Sequence, residues 1–268
     1  MKITSIIGAA AIAATFTGCV TNPITGRSSI QIADSNQINT MALQEYKTTL
    51  SKSKVIAGAD ATRVKTVGAK IANAARNYYR SIGREQDLAN YQWEFNLLQD
   101  KQLNAWCMPG GKVAVYTGIL PVTKDDNGLA VVMGHEISHA LAGHGNERIS
   151  QATLAQYGGQ LVGASLSNGQ MASIFNQLYP VGAQVGLLAY GRKQESEADQ
   201  MGLYLMAMAG YDPRTAPAFW QRMQDASGGA SGTPAFLSTH PNPVNRKAAL
   251  EAMMPKALEY YKAAGGKL

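Results

Sequence analysis

Apolar positions recur with helical spacing along most of the chain and with strand spacing in one short region. Over residues 34–50, Ile38, Met41 and Tyr46 share one helical face, and Asp34 or Ser35 can cap it. The stripe is clearer over 60–79, where Val64, Val67, Ile71, Ala74 and Tyr78 align. Over 91–97 the period changes to two, as in a half-buried strand. Residues 104–108 and 112–117 predict two more strands, with Pro109-Gly110-Gly111 as the turn between them. Residues 129–142 are apolar almost throughout and lack Pro, which predicts a buried helix capped by the Lys124–Gly128 stretch. Residues 150–188 read as helices with a mobile break near Ser167-Asn168-Gly169. Met201, Leu205 and Met208 mark a helix that Gly210 ends, Asp212-Pro213 starts another, and Asn242-Pro243 opens the last. Residues 227–232 form a flexible, Gly-rich loop. The predicted fold is mainly α (α+β): one domain with a small β-sheet beside a buried helix.

That buried helix carries the chemistry. It contains His135-Glu136-Ile137-Ser138-His139. Positions four apart on a helix differ by about 40°, so the two imidazoles project from one face, one turn apart. This spacing lets both reach one tetrahedral zinc. Glu136 stands about 100° round from His135, where a carboxylate can take a proton from water at the metal and return it to a leaving amine. A two-histidine site needs a third protein ligand, and Glu195, on the later helix, supplies a carboxylate. Asp199 shares its face and can accept the outer N–H of a zinc-bound histidine. Glu197 lies about 200° from Glu195 and is expected in solvent. His144 would point about 180° from His135 on a continued helix, so it receives no zinc role. His240, alone in a Pro-rich loop, reads by itself as a surface histidine. The sheet offers Asn104, Ala105 and Trp106 as an exposed edge that could add an extended peptide through main-chain hydrogen bonds. A plain hairpin fits the same residues.

The N-terminus is a targeting segment. Lys2 and a short apolar stretch end in Phe16-Thr17-Gly18-Cys19, too short and too rich in small residues to span a membrane. This resembles a bacterial lipobox, which makes 1–18 a signal peptide and Cys19 an acylated first residue. Residues 19–33 then serve as anchor and linker, and 34–268 as the catalytic domain. Val20 after the cysteine favours, by the same resemblance, the outer membrane on its periplasmic side; the alternative is a soluble periplasmic protein. Cys107 is left as an unpaired, buried thiol. The net charge is +6 with basic residues scattered rather than clustered, which argues against a nucleic-acid partner.

Taken together, Asn104–Gly118, His135–His139, Glu195–Asp199 and Thr239-His240-Pro241 with Arg246 resemble the gluzincin metallopeptidases of the HtpX and CAAX-prenyl-endopeptidase family. The resemblance implies a zincin-like catalytic domain and one Zn2+ per chain, held by His135, His139 and Glu195. It also implies Glu136 as general base and a place near the cleft for His240 and Arg246. His240 could then donate to the oxyanion or fill the fourth zinc position at rest. The chain most resembles a short lipoprotein branch of that family, LoiP-like. The expected function is zinc-dependent endoproteolysis of misfolded or mis-assembled envelope proteins. The alternative is an anchored binding factor for outer-membrane proteins, with cleavage secondary.

Overall fold

The computed structural model describes residues 18–157, 167–179, 190–226, 235–241 and 245–268. In chain order, strands β1 (Cys19–Thr21) and β2 (Ser28–Ile30) form an antiparallel hairpin. Helix α1 (Ser35–Lys52), strand β3 (Val55–Ile56) and helix α2 (Ala59–Ser81) follow. Next come β4 (Glu94–Leu98), β5 (Ala105–Met108) and β6 (Lys112–Tyr116). The short α3 (Leu120–Thr123) leads into α4 (Asp126–Leu141) and α5 (His144–Tyr157). The remaining helices are α6 (Asn168–Leu178), α7 (Arg192–Met208), α8 (Ala216–Asp225), α9 (Ala235–Thr239) and α10 (Arg246–Ala263).

Asp34, not Ser35, caps α1, accepting from the Asn36 backbone N–H at 2.8 Å. The buried face of α2 includes Val64, Val67, Ile71 and Ala74 but ends on Tyr79 rather than Tyr78. Asp125 caps α4 through the Gly128 N–H at 2.9 Å. The expected break at 167–169 is the start of α6, where Ser167 and Gln170 form a reciprocal capping box. The predicted loop at 227–232 and the Asn242-Pro243 start lie outside the described residues.

The larger sheet has the order β3-β4-β6-β5, with β4 and β6 parallel and the other pairs antiparallel. Gly110 and Gly111 take φ of 81° and 86°, which lets the chain turn tightly between β5 and β6. The two-residue β3 escaped the sequence pattern because so short a strand shows no period. The core lies between this sheet and the helices α2, α4 and α7.

Helices α4 and α7 approach at two glycines. A Cβ on Gly202 would stand 2.8 Å from the His135 backbone nitrogen, and one on Gly134 would stand 2.9 Å from the Gly202 oxygen. This close approach brings the His135 turn of one helix against the Asp199 turn of the other.

The segment read as anchor and linker is ordered against this body. Asn22 donates to Met201 Sδ at 2.9 Å, Gln31 to the Ala142 carbonyl at 3.0 Å, and the Ile32 N–H to Ser150 Oγ at 2.9 Å. Cys19 is exposed and Cys107 buried, both as free thiols. No helix among the described residues is long and apolar enough to cross a membrane.

Candidate metal centre

His135 and His139 leave α4 on one face, and their Nε2 atoms stand 3.0 Å apart. Glu195 reaches in from α7, with Oε1 3.3 Å from His139 Nε2 and Oε2 3.5 Å from His135 Nε2. His240 follows α9 and places Nδ1 3.0 Å from Glu195 Oε1 and 3.3 Å from His135 Nε2. One ligand atom from each of these four buried residues falls within 4.8 Å of all the others. His240 is therefore no surface histidine; its ring stacks on Phe236 with centroids 4.3 Å apart.

The outer nitrogen of His135, Nδ1, stands 3.0 Å from Asp199 Oδ1. Arg246 closes that side. Its Nε donates to Asp199 Oδ2 at 2.7 Å and its Nη2 to Glu195 Oε2 at 2.9 Å, while its guanidinium lies 3.9 Å from the Trp220 ring centroid. Glu136 Oε1 is buried without a hydrogen-bond partner and faces His240 Nε2 at 3.6 Å.

The electrostatics favour a cation. Burial alone would lower His135, but the Glu195 carboxylate and Asp199 override it and push the imidazole up to about 9. Burial also opposes ionisation of Glu195, yet His240 and His135 hold it well below the usual carboxylate range. Both shifts have one meaning: positive charge is stabilised between these side chains. His139, by contrast, is driven well below the ordinary imidazole range by burial. Burial raises Glu136. Two borderline-soft nitrogens facing each other and an ionised carboxylate suit Zn2+.

Three sequence expectations need correction. Glu197 is buried, not solvated. The face of α7 opposite Glu195 meets the N-terminal hairpin, where Glu197 accepts from Thr25 Oγ1 at 2.6 Å, from Arg27 Nε and from His144 Nε2 at 3.0 Å. His144 is no ligand, but it touches one: its Nδ1 stands 2.7 Å from His139 Nδ1. The wheel angle failed there because Gly143, at φ 68°, ends the helix and α5 restarts at His144. A glycine just past an apolar helix was the available signal. Finally, β5 is the edge strand, as expected, but not an exposed one. Asn104, Ala105 and Trp106 are buried, with α1 and α4 packed against the strand. Tyr190, stacked on His139 at 3.9 Å, and Trp220, 5.3 Å from His135, had no sequence signal at all.

Two histidines one turn apart, a carboxylate from the next long helix and a buried glutamate beside them define a zinc metallopeptidase centre. The chain belongs to peptidase family M48, whose sequence pattern matches residues 61–254. It is 39% identical over 170 residues to the mitochondrial metalloendopeptidase OMA1 of Schizosaccharomyces pombe, covering 63% of this chain and 49% of that protein. The human mitochondrial metalloendopeptidase OMA1 is 29% identical over 255 residues, 91% of this chain and 47% of its own length. The beta-barrel assembly-enhancing protease of Yersinia pestis is 31% identical over 161 residues, 58% of this chain and 32% of that protein. The chain thus spans about half or less of these curated relatives.

Proposed function

We propose that this chain is a zinc-dependent endopeptidase, tethered through Cys19, that cleaves misfolded or mis-assembled envelope proteins. The carrying observation is the buried Glu136 carboxylate, with Oε1 free of hydrogen bonds beside a converging set of side chains that could hold zinc. His135, His139 and Glu195 would hold the metal. Zinc in such a site supplies Lewis acidity, acidifying water and polarising a carbonyl. Glu136 takes the proton of the attacking water on its carboxylate and delivers it to the leaving amine nitrogen. Asp199 and Arg246 hold His135 and Glu195 in place, so the ligands need not reorganise during reaction.

The envelope reading draws on the lipobox-like Phe16–Cys19 and on the beta-barrel assembly-enhancing proteases among the relatives. The clearest test is a digest of unfolded porin. Glu136→Gln should lower cleavage by about 10²- to 10⁴-fold, the usual loss of a general base, with bound zinc and fold kept. A digest that proceeds unchanged would remove Glu136 from the chemistry, whereas full complementation in cells by Glu136→Gln would favour the anchored binding factor instead. The tether has a separate test: Cys19→Ser should release the protein from membranes, and equal membrane partitioning would refute acylation at this position.

A further inference from the structure

The two zinc-facing histidines are backed differently. His135 meets a carboxylate directly, Asp199, which Arg246 holds. His139 meets a second imidazole. An imidazole that offers Nε2 to a metal carries its proton on Nδ1 and donates it outward. That rule assigns every proton along the contact chain. His139 Nδ1–H donates to His144 Nδ1 at 2.7 Å, so His144 keeps its own proton on Nε2. His144 Nε2–H donates to Glu197 Oε2 at 3.0 Å. Glu197 is then fixed from the hairpin, by the Thr25 hydroxyl at 2.6 Å on Oε1 and by Arg27 Nε on Oε2. The rest of the Arg27 guanidinium is also committed. Its Nη1 and Nη2 donate to the two oxygens of Glu147 at 2.9 and 2.7 Å, and Gln194, beside Glu195, donates to Glu147 at 2.8 Å.

We infer that Thr25 and Arg27 are positioning residues of the zinc site: the N-terminal hairpin completes the backing of His139 through Glu197 and His144, so zinc affinity depends on its docking. This rests on the assignment of His139 as a zinc ligand. The competing account is that Arg27 merely neutralises two buried glutamates and pins the hairpin. The two accounts separate at the metal. A pin stabilises the protein with and without zinc, whereas a relay to a ligand changes zinc binding itself. They separate again in combination, because breaking one relay at two points costs no more than breaking it once.

The experiment uses the full chain, with the zinc dissociation constant measured by competition against a chromophoric chelator. The melting temperature of the zinc-free protein is recorded beside it. Arg27→Gln and His144→Phe should each weaken zinc by about 10- to 100-fold, the usual cost of losing an outer partner of a ligand. The double variant should bind about as weakly as the weaker single. Thr25→Val removes one hydrogen bond and leaves the ion pairs, so it serves if Arg27→Gln does not fold; it should weaken zinc in the same direction by less. The inference is overturned if the variants lower the zinc-free melting temperature while binding zinc as the unmodified chain does. It is equally overturned if the double variant multiplies the two single losses. A chain that binds less than one zinc before any substitution would sink the ligand assignment instead, which keeps the two failures apart.

Discussion

Single residues do several jobs at this centre, and His240 does the least obvious one. Its Nδ1 lies among the ligand atoms, 3.0 Å from Glu195, while its Nε2 faces Glu136. In that position it could take the place of the fourth ligand, which a catalytic site keeps for water and substrate. We therefore expect His240→Ala to raise basal cleavage of an unfolded protein. A 10- to 1000-fold fall, the loss typical of a single oxyanion donor, would assign it to the transition state instead, and unchanged rates would remove it from both roles. The core of this site was legible in the sequence because its spacing is chemistry: His-x-x-x-His and Glu-x-x-x-Asp fix phases on their own helices. His144, Glu197 and Arg27 were not, since their meeting depends on a helix break at Gly143 and on a hairpin from the far end of the chain. No periodicity encodes either.

At the scale of elements, the centre is the crossing of α4 and α7. Sequence periodicity found both helices and the phase of each, but not how close they come. Gly134 and Gly202 set that distance, and each reads in the sequence only as a poor helix former. A methyl group at Gly202 has no room, since its neighbours are the Gly134 and His135 backbone rather than the end of a flexible side chain. Gly202→Ala should therefore push the helices apart at a cost of about 1–3 kcal/mol. Differential scanning calorimetry should show a melting temperature lower by several degrees, with zinc bound more weakly because His135 shifts against Glu195 and Asp199. A variant as stable as the parent, with unchanged zinc affinity, would show that the crossing tolerates more space than its geometry suggests.

The molecule as a whole closes on itself through the hairpin, and this closure has a pH dependence. Glu147 faces Arg27 from the hairpin, Gln194 from α7 and His144 from its own helix. Burial works against its ionisation, yet Arg27 and Gln194 hold it below its ordinary value of 4.5. A carboxylate depressed in the folded state contributes stability above its unfolded pKa and loses it as pH falls through the folded one. At neutral pH, Arg27→Gln should cost about 3 kcal/mol, as breaking a largely buried ion pair does. The gap between the parent and variant denaturation midpoints should then narrow as pH falls from about 5 towards 3. A gap that stayed constant over this range would mean that Glu147 does not draw its stability from the arginine.

The reaction centre is itself buried. Glu136, His135, His139 and Glu195 are each at most 2% exposed, and the edge strand β5 is covered as well. If this cover persists in solution, a peptide reaches these side chains only after part of it moves aside. Catalysis would then draw on the fraction of molecules that are open, and the apparent affinity for any substrate would fall in proportion to that fraction. A client with enough unfolded chain to favour the open form through its own binding energy gains most. Short peptides, and folded proteins whose backbone groups are already paired, contribute little to opening. Under the proposed function, selection of unfolded clients would then begin before any bond is cut, in the energy needed to uncover the site.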